Sequence, residues 1–212
     1  EAWNLDDEAH FPILVEEWTK HMAGDYSFPR LIEPGAGEKL MSDEATYELD
    51  GHIATITYNR PESLNAINGA MRECLNAAWL EFYNDPEAWV AVLTGAGRAF
   101  CAGADLRPGQ GNSAGTWSGS YFEIPTINSF ESGLELWKPT IAAVNGACIG
   151  YGLTGAIATD FLLASDQAVF GMPEVKVGVP TIVGSMRIPS KVAWADAMEI
   201  LLTGDNIDAE QA

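Results

Sequence analysis

A few residues in this sequence are placed to do chemistry. Glu174, in Met172-Pro173-Glu174, lies between apolar residues and ahead of Val175, Val177 and Val179. A carboxylate in apolar surroundings is driven toward its neutral form and can serve as both acid and base. The competing reading is a solvated Glu, or one paired with Lys176. Two Gly-rich turns, residues 95–105 and 145–155, each follow an apolar run and lead into a loop or helix. Glycine lets a ligand approach the main chain, and a helix start adds partial positive charge. Two such N–H donors converging on one point would form an oxyanion hole. The competing use of such turns is tight helix–sheet packing.

Two further motifs fail on context. Gly111-Asn112-Ser113-Ala114-Gly115 matches the G-x-S-x-G nucleophile elbow, but Leu106-Arg107-Pro108-Gly109-Gln110 is no buried strand. The three histidines, His10, His21 and His52, all precede the serine, whereas the elbow's base follows it. Gly150-Tyr151-Gly152-Leu153-Thr154-Gly155 matches the dinucleotide fingerprint G-x-G-x-x-G. Residues 145–149 separate its first glycine from the preceding strand. The acidic residue expected about 20 positions on is also misplaced, because the next strand ends near Asp166. A nicotinamide or flavin oxidoreductase is thus a minor alternative, which a failed NAD(H) titration would end.

The elements that must position these residues are α/β. Residues 46–49 and 53–58 predict a β-hairpin, with Asp50-Gly51 supplying the turn. Asn68 caps a helix running to about Asn84, with Met71, Leu75, Ala78, Trp79 and Phe82 on one face, ended by Pro86. Buried strands are predicted at 89–94 and 140–144, and a short strand at 161–164. Helices are predicted at 126–137, at 151–159, and over 184–202 with an interruption at Pro189 and a stop at Gly204. Strands alternating with helices imply an α/β fold. Residues 1–44 read as an arm or linker of unreadable role, with a short apolar helix face near 12–22. Asp208 with Gln211 reads as a capping box opening a helix, so the sequence reads as truncated there.

Composition narrows the function classes. The chain has 212 residues, with 30 Asp plus Glu against 11 Lys plus Arg, a net charge of −19. That surface repels the phosphates of nucleic acid and of anionic membranes. No apolar run approaches the roughly 20 residues of a membrane span, and residues 1–10 lack the basic start and apolar core of a signal peptide. Cys74, Cys101 and Cys148 are odd in number and far apart, so they read as buried apolar residues in a reducing, cytoplasmic setting. Neither a disulfide framework nor a metal site is expected.

Several ordered stretches together resemble the crotonase superfamily, the enoyl-CoA hydratase/isomerase group. They are Asn59-Arg60-Pro61-Glu62-Ser63-Leu64-Asn65-Ala66, the run from Gly95 to Leu106, Lys138-Pro139-Thr140-Ile141-Ala142-Ala143-Val144-Asn145-Gly146, Gly150-Tyr151-Gly152-Leu153, Phe170-Gly171-Met172-Pro173-Glu174, Gly178 and Leu201-Leu202-Thr203-Gly204. The resemblance covers residues 45–212 and not the first 44. It implies a spiral of ββα repeats, with its C-terminal helical part apparently cut short, and a homotrimer or dimer of trimers. It also implies an acyl-CoA thioester substrate, which carries its own coenzyme A, so no separate cofactor is expected. By motif position, the backbone N–H groups of Ala104 and Tyr151 form the oxyanion hole and Glu174 is the acid/base. Leu64, Ala66, Ala102, Gly103, Asp105, Leu106, Gly150, Gly152 and Pro173 fall at substrate-binding positions.

The sequence departs from the family pattern in ways that bear on the reaction. Thr154 stands where family hydratases carry the first of two glutamates. A Thr hydroxyl can orient water but cannot take its proton at neutral pH. One carboxylate still suffices for isomerisation, and Glu123 and Glu131 are candidates for a second acid. Tyr151 replaces the usual Gly, so its ring must point away from the hole. Leu64 stands where a basic residue is frequent, and residues 178–181 are one residue shorter than usual, which reshapes the acyl pocket. The resemblance places the ADP part of CoA against backbone near residues 60–66 and 102–106, with Arg60, Arg98, Arg107 and Lys138 as a local positive patch. The reading is a hydratase/isomerase-type enzyme. Its alternatives are a Δ3-Δ2 enoyl-CoA isomerase, an acyl-CoA hydrolase, or a non-catalytic acyl-CoA-binding assembly protein.

Overall fold

The computed structural model describes residues 43–107, 130, 134 and 136–212. The expected arm lies outside them except for positions 43 and 44, as do the G-x-S-x-G motif, Glu123, Glu131 and most of the expected helix at 126–137.

Strands β1 (Ala45–Asp50) and β2 (Ile53–Tyr58) form the expected hairpin, with Asp50 opposite Ile53. The two loop residues are therefore Gly51 and His52, not Asp50 and Gly51. Gly51 takes the left-handed conformation at φ 57° while His52 does not, as a Gly-first hairpin turn requires. Helix α1 (Gly69–Asn84) starts where Asn68 accepts a hydrogen bond from Met71 N at 2.8 Å. It buries Met71, Cys74, Leu75, Ala78, Trp79 and Phe82, the expected face with Cys74 added.

The rest repeats one plan. Strand β3 (Val90–Gly95) is followed by β4 (Ala99–Cys101), β5 (Thr140–Val144) by β6 (Ala147–Ile149), and β7 (Phe161–Ala164) by β8 (Val169–Gly171). The first strand of each pair joins one sheet, in the order β1-β2-β3-β5-β7. The second joins another, β4-β6-β8-β9, where β9 is Ile207–Asp208. All neighbours are parallel except the pairs β1–β2 and β8–β9. Two parallel layers built up unit by unit are what a spiral of ββα repeats produces. Trp89 lies outside β3 and is 60% exposed, stacked on His52 at 3.6 Å. The two Gly-rich turns are thus not simple loops, since each contains a three-residue strand of the second sheet.

Helices α2 (Tyr151–Ala158), α3 (Glu174–Val177), α4 (Ile182–Arg187) and α5 (Trp194–Thr203) complete the described chain. A 3-10 turn at Ile188–Ser190 holds Pro189, and Gly204 caps α5 at φ 66°. Asp208 and Gln211 make the reciprocal bonds of the expected capping box, but residues 209–211 form a turn and not the expected helix. Asp208 Oδ1 accepts from Gln211 N at 2.9 Å, and Gln211 Oε1 accepts from Asp208 N at 3.3 Å.

Two asparagines, Asn65 buried and Asn145 half-buried, join the repeats. Asn65 is fully buried, at φ 57°, a conformation Asn tolerates better than most residues. Its carbonyl accepts from Arg60 N at 2.8 Å, and its amide donates to Ala96 O at 2.9 Å and Ala99 O at 2.8 Å. Asn145 donates to Gly95 O and Gly97 O, both at 2.9 Å. The segment after β4 is held by charge as well. Asp105 is buried, 3.1 Å from Arg60 Nη1 and 2.5 Å from Arg107 Nη2. Hydrogen bonds from Arg107 above all, and from Arg60, hold its carboxyl well below the usual carboxylate range against the opposing effect of burial.

Replacing Asn65 with Ala takes a partner from the buried Arg60 N–H and from the Ala96 and Ala99 carbonyls, of which Ala99 O keeps only Asn145 Nδ2 at 3.5 Å. Urea unfolding is expected to show a loss of roughly 3–5 kcal/mol, and a loss under about 1 kcal/mol would contradict this role. For Asp105, the lowered folded pKa means its contribution is full above the unfolded value near 3.9 and falls as pH drops below it. Asp105→Asn should cost about 3–5 kcal/mol at pH 7, and the deficit should narrow steadily below about pH 3.9. A deficit that does not change with pH would show that the pair is not the cause.

Candidate active site

The site begins at the end of β4. Ala102 N donates to Leu64 O at 2.9 Å, which ties this segment to a Leu64 held at φ 51°. Ile67 then bridges the chain on both sides of Ala104. Its N–H donates to Gly103 O at 2.8 Å and its carbonyl accepts from Asp105 N at 2.9 Å. A parallel bridge of this kind uses the flanking residues and leaves the N–H of the middle one, Ala104, facing the other way.

The second Gly-rich turn meets the first there. Gly103 sits at φ 95°, and a Cβ on it would fall 2.9 Å from Ile149 O and 3.6 Å from Tyr151 N. Only glycine permits this approach, which brings the main chain at Gly103 up to Ile149 and the start of α2. Tyr151 is the first residue of α2, where the hydrogen-bond ladder begins with Thr154 N donating to Gly150 O at 3.0 Å. N–H groups of a first helical turn point out of the helix end and carry its partial positive charge.

Glu174 arrives from the third repeat. Strand β8 pairs with β6, and Gly150 N donates to Gly171 O at 2.8 Å. This sets Met172-Pro173-Glu174 against the start of α2. Gly150 is at φ 55°, and a Cβ there would lie 2.9 Å from Glu174 Oε1. Glu174 is half-buried, and its buried Oε2 has no hydrogen-bond partner. Its competing pairing with Lys176 is not made, because Lys176 Nζ binds Asp205 at 2.6 Å.

These pieces line one cavity of about 450 Å³. Of the residues singled out from sequence, it holds Ala102, Gly103, Ala104, Leu106, Gly150, Tyr151, Thr154, Pro173 and Glu174. Thr154 is buried, and its hydroxyl donates to Gly150 O at 3.3 Å. Leu64, Ala66, Asp105 and Gly152 do not line the cavity. The first three brace the Ala102–Ala104 segment from behind, with Ala66 O accepting from Arg60 Nη1 at 2.5 Å. Gly152 lets α2 press on β4, since a Cβ there would come within 2.7 Å of Cys101 Cβ. That burial pushes the Cys101 thiol up to about 12, so it stays protonated and inert.

Three expectations are corrected. Arg60 is buried against Asp105 and Lys138 donates to Phe82 O and Asp85 O, so neither contributes to a surface patch. A strand, β6, does directly precede Gly150, so the spacing objection to the G-x-G-x-x-G motif fails. Its glycines instead face Glu174, Cys101 and Tyr58 Oη in turn, as packing positions. Sequence reading also missed Arg72 of α1, which lines the cavity along with Ile149, Met172, Val177 and residues 179–184. The shortened stretch at 178–181 was the one advance signal for part of this wall. Among the described residues no helix is long and apolar enough to cross a membrane, and no group of three His, Cys, Asp or Glu side chains could hold a metal ion.

Comparison with known proteins agrees with this architecture. A family model described as enoyl-CoA hydratase/isomerase matches residues 48–212. The chain is 38% identical over 172 residues to the (E)-benzylidenesuccinyl-CoA hydratase of Thauera aromatica, covering 79% of this chain and 65% of that protein. It is 39% identical over 166 residues to a probable enoyl-CoA hydratase of Rhizobium meliloti, covering 78% and 63%. The crystal structure of enoyl-CoA hydratase from Mycobacterium tuberculosis superposes with a TM-score of 0.70 at 36% identity, covering 81% and 66%. The chain therefore spans just under two thirds of the length of these relatives. With its repeats, its cavity and the match over residues 48–212 in agreement, the chain belongs to the enoyl-CoA hydratase/isomerase family.

Proposed function

We propose that this chain processes an acyl-CoA thioester as an enzyme of the enoyl-CoA hydratase/isomerase type, by way of a thioester enolate. The observation that carries the reading is that one cavity holds Ala104, Tyr151 and Glu174 together. The Ala104 and Tyr151 N–H groups donate to the thioester oxygen and strengthen their hold as it becomes an enolate oxygen. A single donor of this kind is worth about 2.7–4 kcal/mol. The Glu174 carboxylate takes a proton next to the carbonyl, the electron pair moves onto the thioester oxygen, and the carboxylic acid returns the proton along the acyl chain. Oε2, buried without a partner, suits a group that trades a proton with substrate.

A single-carboxylate reaction is favoured within this type by a specific observation. Glu174 is the one carboxylate lining the cavity among the described residues, and the Thr154 proton is directed to Gly150 O. That suits Δ3-Δ2 isomerisation, in which one base removes and returns a single proton, or thioester hydrolysis. Two-carboxylate hydration needs a second acid that Thr154 does not supply. The trimeric assembly implied by the family resemblance and the cytoplasmic setting read from the cysteines belong to the same proposal.

Glu174→Gln should lower turnover of 3-enoyl-CoA or crotonyl-CoA by roughly 10²–10⁴-fold. Calorimetric binding of a saturated acyl-CoA should stay within about threefold, because the change keeps size and shape. Full activity in the variant would remove Glu174 from the mechanism. A wild-type chain that binds a panel of acyl-CoAs and converts none would establish the non-catalytic binding reading instead.

A further inference from the structure

The Tyr151 side chain has a specific destination. Its ring lies under Arg72 of α1, with the guanidinium carbon 5.6 Å from the ring centroid. Arg72 is half-buried and follows the fully buried Met71, so the helix that carries it is anchored in the core. It lines the same cavity as Ala104, Tyr151 and Glu174. Among the described residues lining that cavity, Arg72 and Glu174 alone are charged, and most of the others are apolar.

We propose, building on the acyl-CoA reading above, that Arg72 recognises a carboxylate carried by the acyl chain, so that the preferred substrates are CoA thioesters of dicarboxylic acids. A guanidinium keeps its charge at any working pH and offers five N–H donors in a planar fork that matches a carboxylate. In an apolar cavity its attraction for an anion exceeds that in water. The Tyr151 ring steadies the cation through its π face, while the main chain of the same residue faces the thioester oxygen. An acyl carboxylate is repelled by Glu174. The Arg72 side is then the place in this wall where it meets opposite charge, beside the positive end of α2.

The test is calorimetric titration with glutaryl-CoA and with 5-methylhexanoyl-CoA, its neutral isostere, at fixed ionic strength. The wild-type chain should bind glutaryl-CoA at least about tenfold more tightly. Arg72→Met should erase that preference by weakening glutaryl-CoA alone, moving the neutral thioester less than about threefold, and Arg72→Lys should restore part of it. Equal or tighter binding of the neutral thioester by the wild-type chain overturns this inference and leaves the acyl-CoA reading standing. Failure to bind either thioester overturns both. The wild-type comparison needs no variant, so a folding defect in Arg72→Met does not weaken the test.

Discussion

The structure depends on how the backbone carbonyls of the turn after β3 are held. Gly95, Ala96, Gly97 and Ala99 present their oxygens to two side-chain amides, those of buried Asn65 and half-buried Asn145. One amide comes from the preceding repeat and the other from the following one. Buried carbonyls demand partners, and side-chain amides can supply two donors each without adding charge. This clamp fixes β4 against β6 and thereby places Gly103 on Ile149. Asp105, drawn inward by Arg60 and Arg107, secures the far side of the same segment. The Ala102–Ala104 wall of the cavity is thus set by polar contacts made behind it.

The cavity itself is mostly apolar, and its few polar groups divide the chemistry. The backbone of Ala104 and Tyr151 lines it together with one carboxylate among the described residues, Glu174. Glu174 lies beside Gly150, the residue that also accepts the Thr154 hydroxyl. Thr154 and Glu174 therefore flank one turn, but only one of them can carry a proton at neutral pH. Thr154 is a buried polar group that cannot act as an acid or base at neutral pH. That bears on the kind of reaction more than on the fold. The Tyr151 ring lies under the Arg72 guanidinium of α1.

Much of this was legible from the residues in order. The 3.6-residue period of α1, its Asn68 cap and the alternation of the hairpin were strong local signals. Glu174 was found from its apolar setting and its motif. The strands β4, β6 and β8 were not read as strands, because three residues carry no usable period and two of these strands sit in glycine-rich turns. Arg72 was missed because within α1 it is one more helix-forming residue, and only the spiral brings it to Tyr151, 79 positions later. Arg60 and Lys138 read locally as surface charge, because nothing near them in sequence shows that their partners are Asp105 and the carbonyls of Phe82 and Asp85. Leu64, Ala66, Asp105 and Gly152 lie one layer behind the cavity, a distinction that motif position does not carry.

The central claim is that Ala104 N and Tyr151 N hold one oxygen atom between them. A crystal structure of the protein with a saturated acyl-CoA bound tests it most directly. The account predicts a thioester oxygen 2.7–3.1 Å from both nitrogens, with the carbons next to it facing Glu174. A thioester oxygen bound elsewhere, with either N–H turned to another acceptor, would contradict it.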